Sequence, residues 1–346
     1  MPPCLRLLLT AALALPLPLK AGSQDVVNVY AWGEEIPPEI ITQFEQETGI
    51  HVNQANYDSN EVMFTKLRAN RAGFDLAEPS SYYVQRMGRL GMLEPLDFSR
   101  LSQAKNLDPW FSKQGYDRGN RYSIPFVWGI TGIFANKKYV APNSVTHWSD
   151  LTGSRFKNQL MILDDPREAF SMALKMRGYS INDTDPAHLH EAWLQLKALM
   201  PNIRLFNNDA VKSILIDEDA TIGMVWSGDL AKASLENDQL TFILPADGFE
   251  VWVDNFVLLK NAPHQKNAYR FLNFLMRPDI AKQVSERIGY ATANLTARKN
   301  LPDAVRNNRT LYPDAEKMKH AEVQTDVGDG TFALYEKYWE KLKTGV

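Results

Sequence analysis

Where the apolar runs of this 346-residue chain end, carboxylates and aromatic rings collect. VVNVYAW (Val26 to Trp32) runs into Gly33, Glu34 and Glu35. FDLAEPS leads to Ser80, Ser81, Tyr82 and Tyr83, and QLMILDD closes on Asp164 and Asp165, with Glu168 three residues on. Trp226 with Ser227, Trp252 with Asp254, Tyr290 behind a helix-ending Gly, and Gln324 with Asp326 complete the set, in which Lys and Arg are scarce. An ammonium group in a cleft needs a carboxylate partner and is also drawn to the face of an aromatic ring. Rings bury methylenes as well. A flexible polyamine has both parts, charged nitrogens at intervals along an alkyl chain. Each buried CH₂ contributes about 0.8 kcal/mol and each charge-assisted hydrogen bond about 1.5–3 kcal/mol, so rings and acids contribute comparably.

The elements that must position these residues follow from hydrophobic periodicity. The run from Val26 predicts a strand. Pro37-Pro38 with Ile40, Ile41 and Phe44 at helical spacing, stopped at Gly49, predicts a helix, and GIHVNQANY resumes a strand. A helix over 61–70, a strand in FDLAEPS, a helix over 82–90 and a pair of extended segments in YSIPFVWGITGIFAN continue the alternation. From about Ala135 the pattern restarts. HWSDLTGSRFKNQLMILDD reads as helix then strand, PREAFSMALKMRG and 186–200 as helices, and ATIGMVWSGD as a strand entering a turn. DQLTFILPADGFEVWVDNFVLLK reads as antiparallel or crossing strands. Helices follow over AYRFLNFLM and 278–288, and a last one carries Phe332, Tyr335, Tyr338, Trp339 and Leu342. The expected class is α/β in two lobes, 25–132 with 254–300 and 133–253 with 301–346, and such folds take ligands in the crevice at the strand ends.

Composition narrows the class. Hydrophobic content of 45% and charged content of 23% are those of a folded globular protein and leave no disordered tract to explain. The run Leu7 to Leu19 is too short to span a bilayer and is interrupted by Pro16 and Pro18, so residues 1–22 are expected to be a cleaved secretory signal peptide and the mature protein periplasmic. The only cysteine, Cys4, lies within that signal, which leaves packed cores rather than disulfides to stabilise the chain. Loss of Arg6 and Lys20 with the signal takes the formal net charge from −3 to −5, which disfavours nucleic acid. The six histidines have no metal-ligand spacing, and there is no Gly-rich phosphate loop or nucleophile elbow. No metal, no cofactor and no catalytic residue is expected.

The segments YAWGEEIPP, YDSNEVMFTKL, EPSSYYVQRM, YSIPFVWG, DDPREAFSMAL, TIGMVWSG, VWVDN, RPDIAKQVSERIGY and TLYPDAE, in this order, make the chain resemble the periplasmic spermidine/putrescine-binding proteins of ABC importers from about Asn28 to the C-terminus. The resemblance implies a two-lobed, type II periplasmic binding protein fold with the ligand in the interlobe cleft. It implies polyamine contacts at Trp32, Glu34, Ser80, Tyr82, Asp165, Glu168, Trp226, Trp252, Asp254, Tyr290 and Gln324. Asp254 and Glu168 would hold charged nitrogens, Glu34 one end of the chain, and Asp165 with Gln324 the other, while the rings enclose the methylenes. Putrescine-preferring relatives carry an acid where Trp252 stands, so the resemblance favours spermidine, with putrescine weaker. Gly33 replaces a hydroxyl residue of the family and Glu35 replaces a Tyr. The implied partners are a polyamine and the membrane permease of an ABC importer, with the binding protein itself a monomer.

Plainer readings compete at several positions. Asp165-Pro166-Arg167-Glu168 also reads as a capping box, a role Asp165 can combine with ligand binding. Trp32, Trp226 and Trp252 could be core rings, and Glu34-Glu35 a solvated helix start. Trp128 and Trp148 read as structural. Tyr82-Tyr83 imitates the adjacent tyrosines of ferric-ion-binding proteins of the same fold. A glycosidase would draw two carboxylates from Asp164, Asp165, Glu168 and Asp254. A polyamine sensor is a further alternative.

Overall fold

The computed structural model describes residues 25–33, 35–69 and 73–345, so the expected signal segment 1–22 with Cys4, and Glu34 as well, lie outside the described residues. The strands are β1 (Val26–Trp32), β2 (His51–Tyr57), β3 (Leu76–Ala77), β4 (Ser123–Asn136), β5 (Leu160–Ile162), β6 (Ile203–Phe206), β7 (Ile222–Trp226), β8 (Leu240–Ile243), β9 (Phe249–Leu258), β10 (Ala291–Thr292) and β11 (Ala321–Val323). Their main path runs β2-β1-β3-β9-β4-β7-β5-β6. β1 pairs parallel with β2 and β3, and β5 parallel with β6 and β7. Two parallel groups are therefore joined through the long antiparallel pair β4–β9.

The first βαβ unit forms as its sequence predicts. Helix α1 (Pro38–Thr48) starts on Pro38, buries Ile40 and Phe44, and ends at Gly49, whose left-handed φ of 69° only glycine adopts readily. Helices α2 (Asn60–Ala69), α3 (Ser81–Arg89), α4 (Pro166–Met176) and α5 (Pro186–Leu199) lie within two residues of their expected ranges.

Three expectations change. Within YSIPFVWGITGIFAN, Ser123–Asn136 is one strand of 14 residues, all buried, because its first part pairs with β9 and its last part with β7 and β8. HWSDLTGSRF forms two short 3₁₀ turns, Trp148–Thr152 and Ser154–Phe156, rather than a helix; Gly153 between them is extended and breaks the winding. β8 and β9 do not pair with each other, since each lies against β4.

One core packs Val27, Val29, Ile40 and Phe44 against Phe256, Phe271 and Ile280. A second runs from Tyr82 and Tyr83 through Phe332 and Tyr335 of the C-terminal helix (Asp329–Thr344) to Phe170 and Leu196. Trp128 and Trp148 are structural: both are buried, and their indole N–H groups donate to the Thr292 and Gly248 carbonyls. Among the described residues no helix is long and apolar enough to cross a membrane.

Candidate functional site

Alternation along β9 sends Glu250, Trp252 and Asp254 to one face. The neighbouring edge of β9 is occupied by β11 along Phe249 to Val251 and by β3 at Val257 and Leu258. Between them the only pairing is a single bridge from Asp254 to Ser80. Trp252 and Asp254 thus lie where β9 passes from one neighbour to the next, and the carboxyl ends of β1, β3, β5 and β7 supply what surrounds them.

At the Asp254 end, Ser80 donates its hydroxyl to Asp254 Oδ1 at 2.5 Å, and Asn60 Nδ2 donates to Ser80 Oγ at 3.0 Å and to the Tyr82 hydroxyl at 3.2 Å. Two further carboxyls converge here. Glu78, directly after β3 and fully buried, accepts the Trp32 backbone N–H on Oε2 at 3.1 Å, while its Oε1 has no partner. Glu35, in the turn after β1, lies beside Asp254 and Glu78 and leaves Oε2 without a partner. Burial first, then the neighbouring carboxylates, push Glu35 well above the usual range; burial and then Asp254 do the same for Glu78. Asp254 is pushed up to about 7 by burial, against the Ser80 hydrogen bond.

The other end is built on α4. Asp165 caps the helix, accepting from the backbone N–H groups of Arg167 (2.7 Å) and Glu168 (3.0 Å). Glu168 does not complete a capping box but accepts the Trp226 indole N–H at 3.0 Å. Gln324 follows β11 and donates to Glu250 Oε1 at 2.6 Å. Burial, then Glu250 and Asp165, push Glu168 well above its usual range; burial raises Glu250 too, opposed by the charge of Arg167. Arg167 is itself buried, donating to the Ile181 carbonyl and Asn182 Oδ1, each at 2.6 Å.

Aromatic pairs stand beside the acids. Trp32 lies 4.7 Å from Tyr57, and Trp252 meets Tyr290 edge-on at 5.2 Å, with the Tyr290 hydroxyl donating to Asp229 at 3.0 Å. Two glycines make room for them: a Cβ on Gly129 would overlap the Trp252 ring, and one on Gly228 the Tyr290 ring. A Cβ on Gly33 would face open space.

Of the residues the resemblance implies, Trp32, Ser80, Asp254 and Tyr290 gather at one end, Asp165, Glu168, Trp226 and Gln324 at the other, and Trp252 stands between Glu250 and Asp254 on β9. Tyr82 accepts from Asn60, as Ser80 does, and stacks on Phe332 at 5.9 Å. Sequence reasoning missed Glu78, Glu250 and Arg167, and assigned no role to Glu35. The alternation of Glu250 with Trp252 and Asp254 was the available signal for one of them. The iron reading is not supported by the tyrosines, whose hydroxyls are engaged apart from each other: Tyr83 donates to Glu61 and Tyr82 accepts from Asn60. Among the described residues no group of His, Cys, Asp or Glu is arranged to hold a metal ion.

Residues 39–313 match the family described as bacterial extracellular solute-binding protein. The spermidine/putrescine-binding periplasmic protein of Escherichia coli is 43% identical over 97% of this chain and 98% of its own length, and that of Salmonella typhimurium is 42% identical over 98% of both. The crystal structure of a spermidine/putrescine ABC transporter substrate-binding protein from Streptococcus pneumoniae superposes with a TM-score of 0.81 at 36% identity, covering 92% of this chain and 99% of that one.

Proposed function

Because the chain belongs to the bacterial extracellular solute-binding protein family, we propose that it captures an extended polyamine, spermidine in preference to putrescine, and delivers it to the permease of an ABC importer. It has the two-lobed α/β fold of periplasmic solute-binding proteins and is a binding protein rather than an enzyme.

The observation that carries the reading is the order acid, ring, acid on one face of β9, Glu250, Trp252 and Asp254. Four residues along a strand separate the two acids by about 13 Å. Extended spermidine spans about 11 Å between its outer nitrogens and putrescine about 6 Å, at about 1.25 Å of advance per single bond. Only the longer amine reaches both acids at once. Among the described residues neither acid is in an ion pair with Lys, Arg or His; Glu250 accepts from Gln324 and Asp254 from Ser80.

The lobes we assign are 25–132 with 254–300 and 133–253 with 301–346, closing on the ligand as the chain crosses between them in β4 and β9. Residues 1–22 act as the export signal in this reading, and the mature protein works as a periplasmic monomer. The contacts we assign are Trp32, Glu34, Ser80, Tyr82, Asp165, Glu168, Trp226, Trp252, Asp254, Tyr290 and Gln324, with Glu250 added to them from its place on β9.

Calorimetric titration with spermidine, putrescine and spermine tests this. Binding of spermidine well below millimolar is expected, and a Kd no tighter than about 1 mM, roughly −4 kcal/mol, for all three amines ends the reading. Trp252→Asp is expected to weaken spermidine relative to putrescine; an unchanged ratio removes the basis for the spermidine preference.

A further inference from the structure

We propose that Glu35, Glu78 and Asp254 form a socket for one primary ammonium group, in which Glu35 decides for an –NH₃⁺ terminus over a secondary amine. The inference rests on the polyamine reading and deepens it.

The three acids come from three separate segments, the turn after β1, the residue after β3, and β9. Each keeps acceptor capacity. Glu78 uses Oε2 on the Trp32 N–H and leaves Oε1 unpartnered although the side chain is fully buried. Glu35 leaves Oε2 without an N–H or hydroxyl donor from elsewhere in the chain and shares hydrogen bonds with Glu78 and Asp254, while Asp254 also accepts from Ser80 on Oδ1. Buried polar atoms without partners are rare unless a ligand completes them.

A primary ammonium carries three N–H donors and a secondary one two. Three carboxyls therefore match –NH₃⁺, and a secondary nitrogen would leave one acid unanswered. A metal ion fits less well, since it needs its oxygens within about 2.0–2.6 Å of one point and the described acids form no such group.

Among the described residues, none of the three is in an ion pair with Lys, Arg or His. The other titratable groups facing them are Tyr57 from β2 and Tyr290, itself paired with Asp229. Burial and mutual repulsion raise the proton affinity of these acids, and a bound ammonium would oppose that shift, so binding is expected to release protons.

The test compares putrescine with N,N′-dimethyl-1,4-diaminobutane, which has the same charge and spacing but two secondary ends. Calorimetry at pH 7 in two buffers of different ionisation enthalpy gives affinity and proton release together. The wild type is expected to prefer putrescine by about tenfold or more. Glu35→Ala, a substitution at a partly exposed turn, is expected to cut that preference to about threefold or less and to release about one proton fewer on binding. Arg89→Ala, at the exposed rim, is expected to keep the preference. Equal binding of the two amines by the wild type, or an unchanged ratio and proton count in a folded Glu35→Ala protein, overturns the socket while polyamine binding stands. Failure of the wild type to bind either amine or spermidine would instead sink the polyamine reading itself.

Discussion

The two ends of the cleft hold similar acids but differ in what balances them. At the Glu250 end, Arg167 is buried close enough to lower both Glu250 and Asp165 against the effect of burial, and Asp165 spends its carboxylate on two backbone N–H groups of α4. At the Asp254 end, three carboxyls face one another, and no cation is among the causes that shift them. Both ends keep a buried carboxylate oxygen without a partner, but only the Glu250 end has a cation, Arg167, that offsets burial. Removing a charge from the end without internal compensation therefore costs binding more than removing one from the end that has it.

The largest expected effect follows from that asymmetry. Asp254→Asn is expected to weaken spermidine by about a hundredfold or more, the scale of truncating one partner of a buried hydrogen-bonded charge pair, whereas Glu250→Gln is expected to cost about tenfold. Calorimetry on both variants decides, and the reverse order would break the comparison. Next come the rings. Gly228→Ala forces a methyl against Tyr290 and Gly129→Ala against Trp252, and each is expected to lower spermidine affinity about tenfold by displacing a wall of the groove; wild-type affinity in both would show that the rings are bystanders.

A smaller effect separates the ends by pH. Asp254 titrates near 7 in the folded, empty protein and near 4 when unfolded. Between these values the folded form holds a proton that the unfolded chain has released, so stability of the empty protein declines as pH rises from about 4 through 7. Melting temperatures measured from pH 5 to 8 are expected to fall without spermidine and to fall less with it, and in Asp254→Asn the difference between the two curves is expected to flatten. The smallest effect belongs to the rim, where Arg89 of α3 pairs with Asp326 at 2.9 Å. Arg89 is nearly half exposed, so Arg89→Ala is expected to change affinity less than about threefold. A larger loss would mean that this contact, and not the acids, controls closure.

Much of this arrangement could be read from residue order. Trp32, Asp165 and Trp226 sit at the ends of apolar runs, with Glu168 three residues on, and the rule that α/β sheets bind at strand ends was enough to gather them; Asp254, expected at a strand end, lies instead inside β9, opposite the gap between β11 and β3. What escaped notice has a common cause. Glu78 and Glu250 stand within or beside apolar strands, where an acid reads as a chance interruption until its neighbours are known. Arg167 sits in a helix-start motif that accounts for it locally. Glu35 follows Glu34 on what reads as a solvated turn, and only the approach of β9 and the segment after β3 buries it against two other acids.

The sequence by itself determined the alternating elements, the caps on α1 and α4, the aromatic and acidic character of the cleft and the family, because each depends on spacing within a few residues or on motifs kept in order. Only the tertiary structure decided which acids share a charge problem and which are relieved by Arg167. That depends on distances between segments far apart in the chain, brought together by the β4–β9 crossing, and no local pattern encodes those distances.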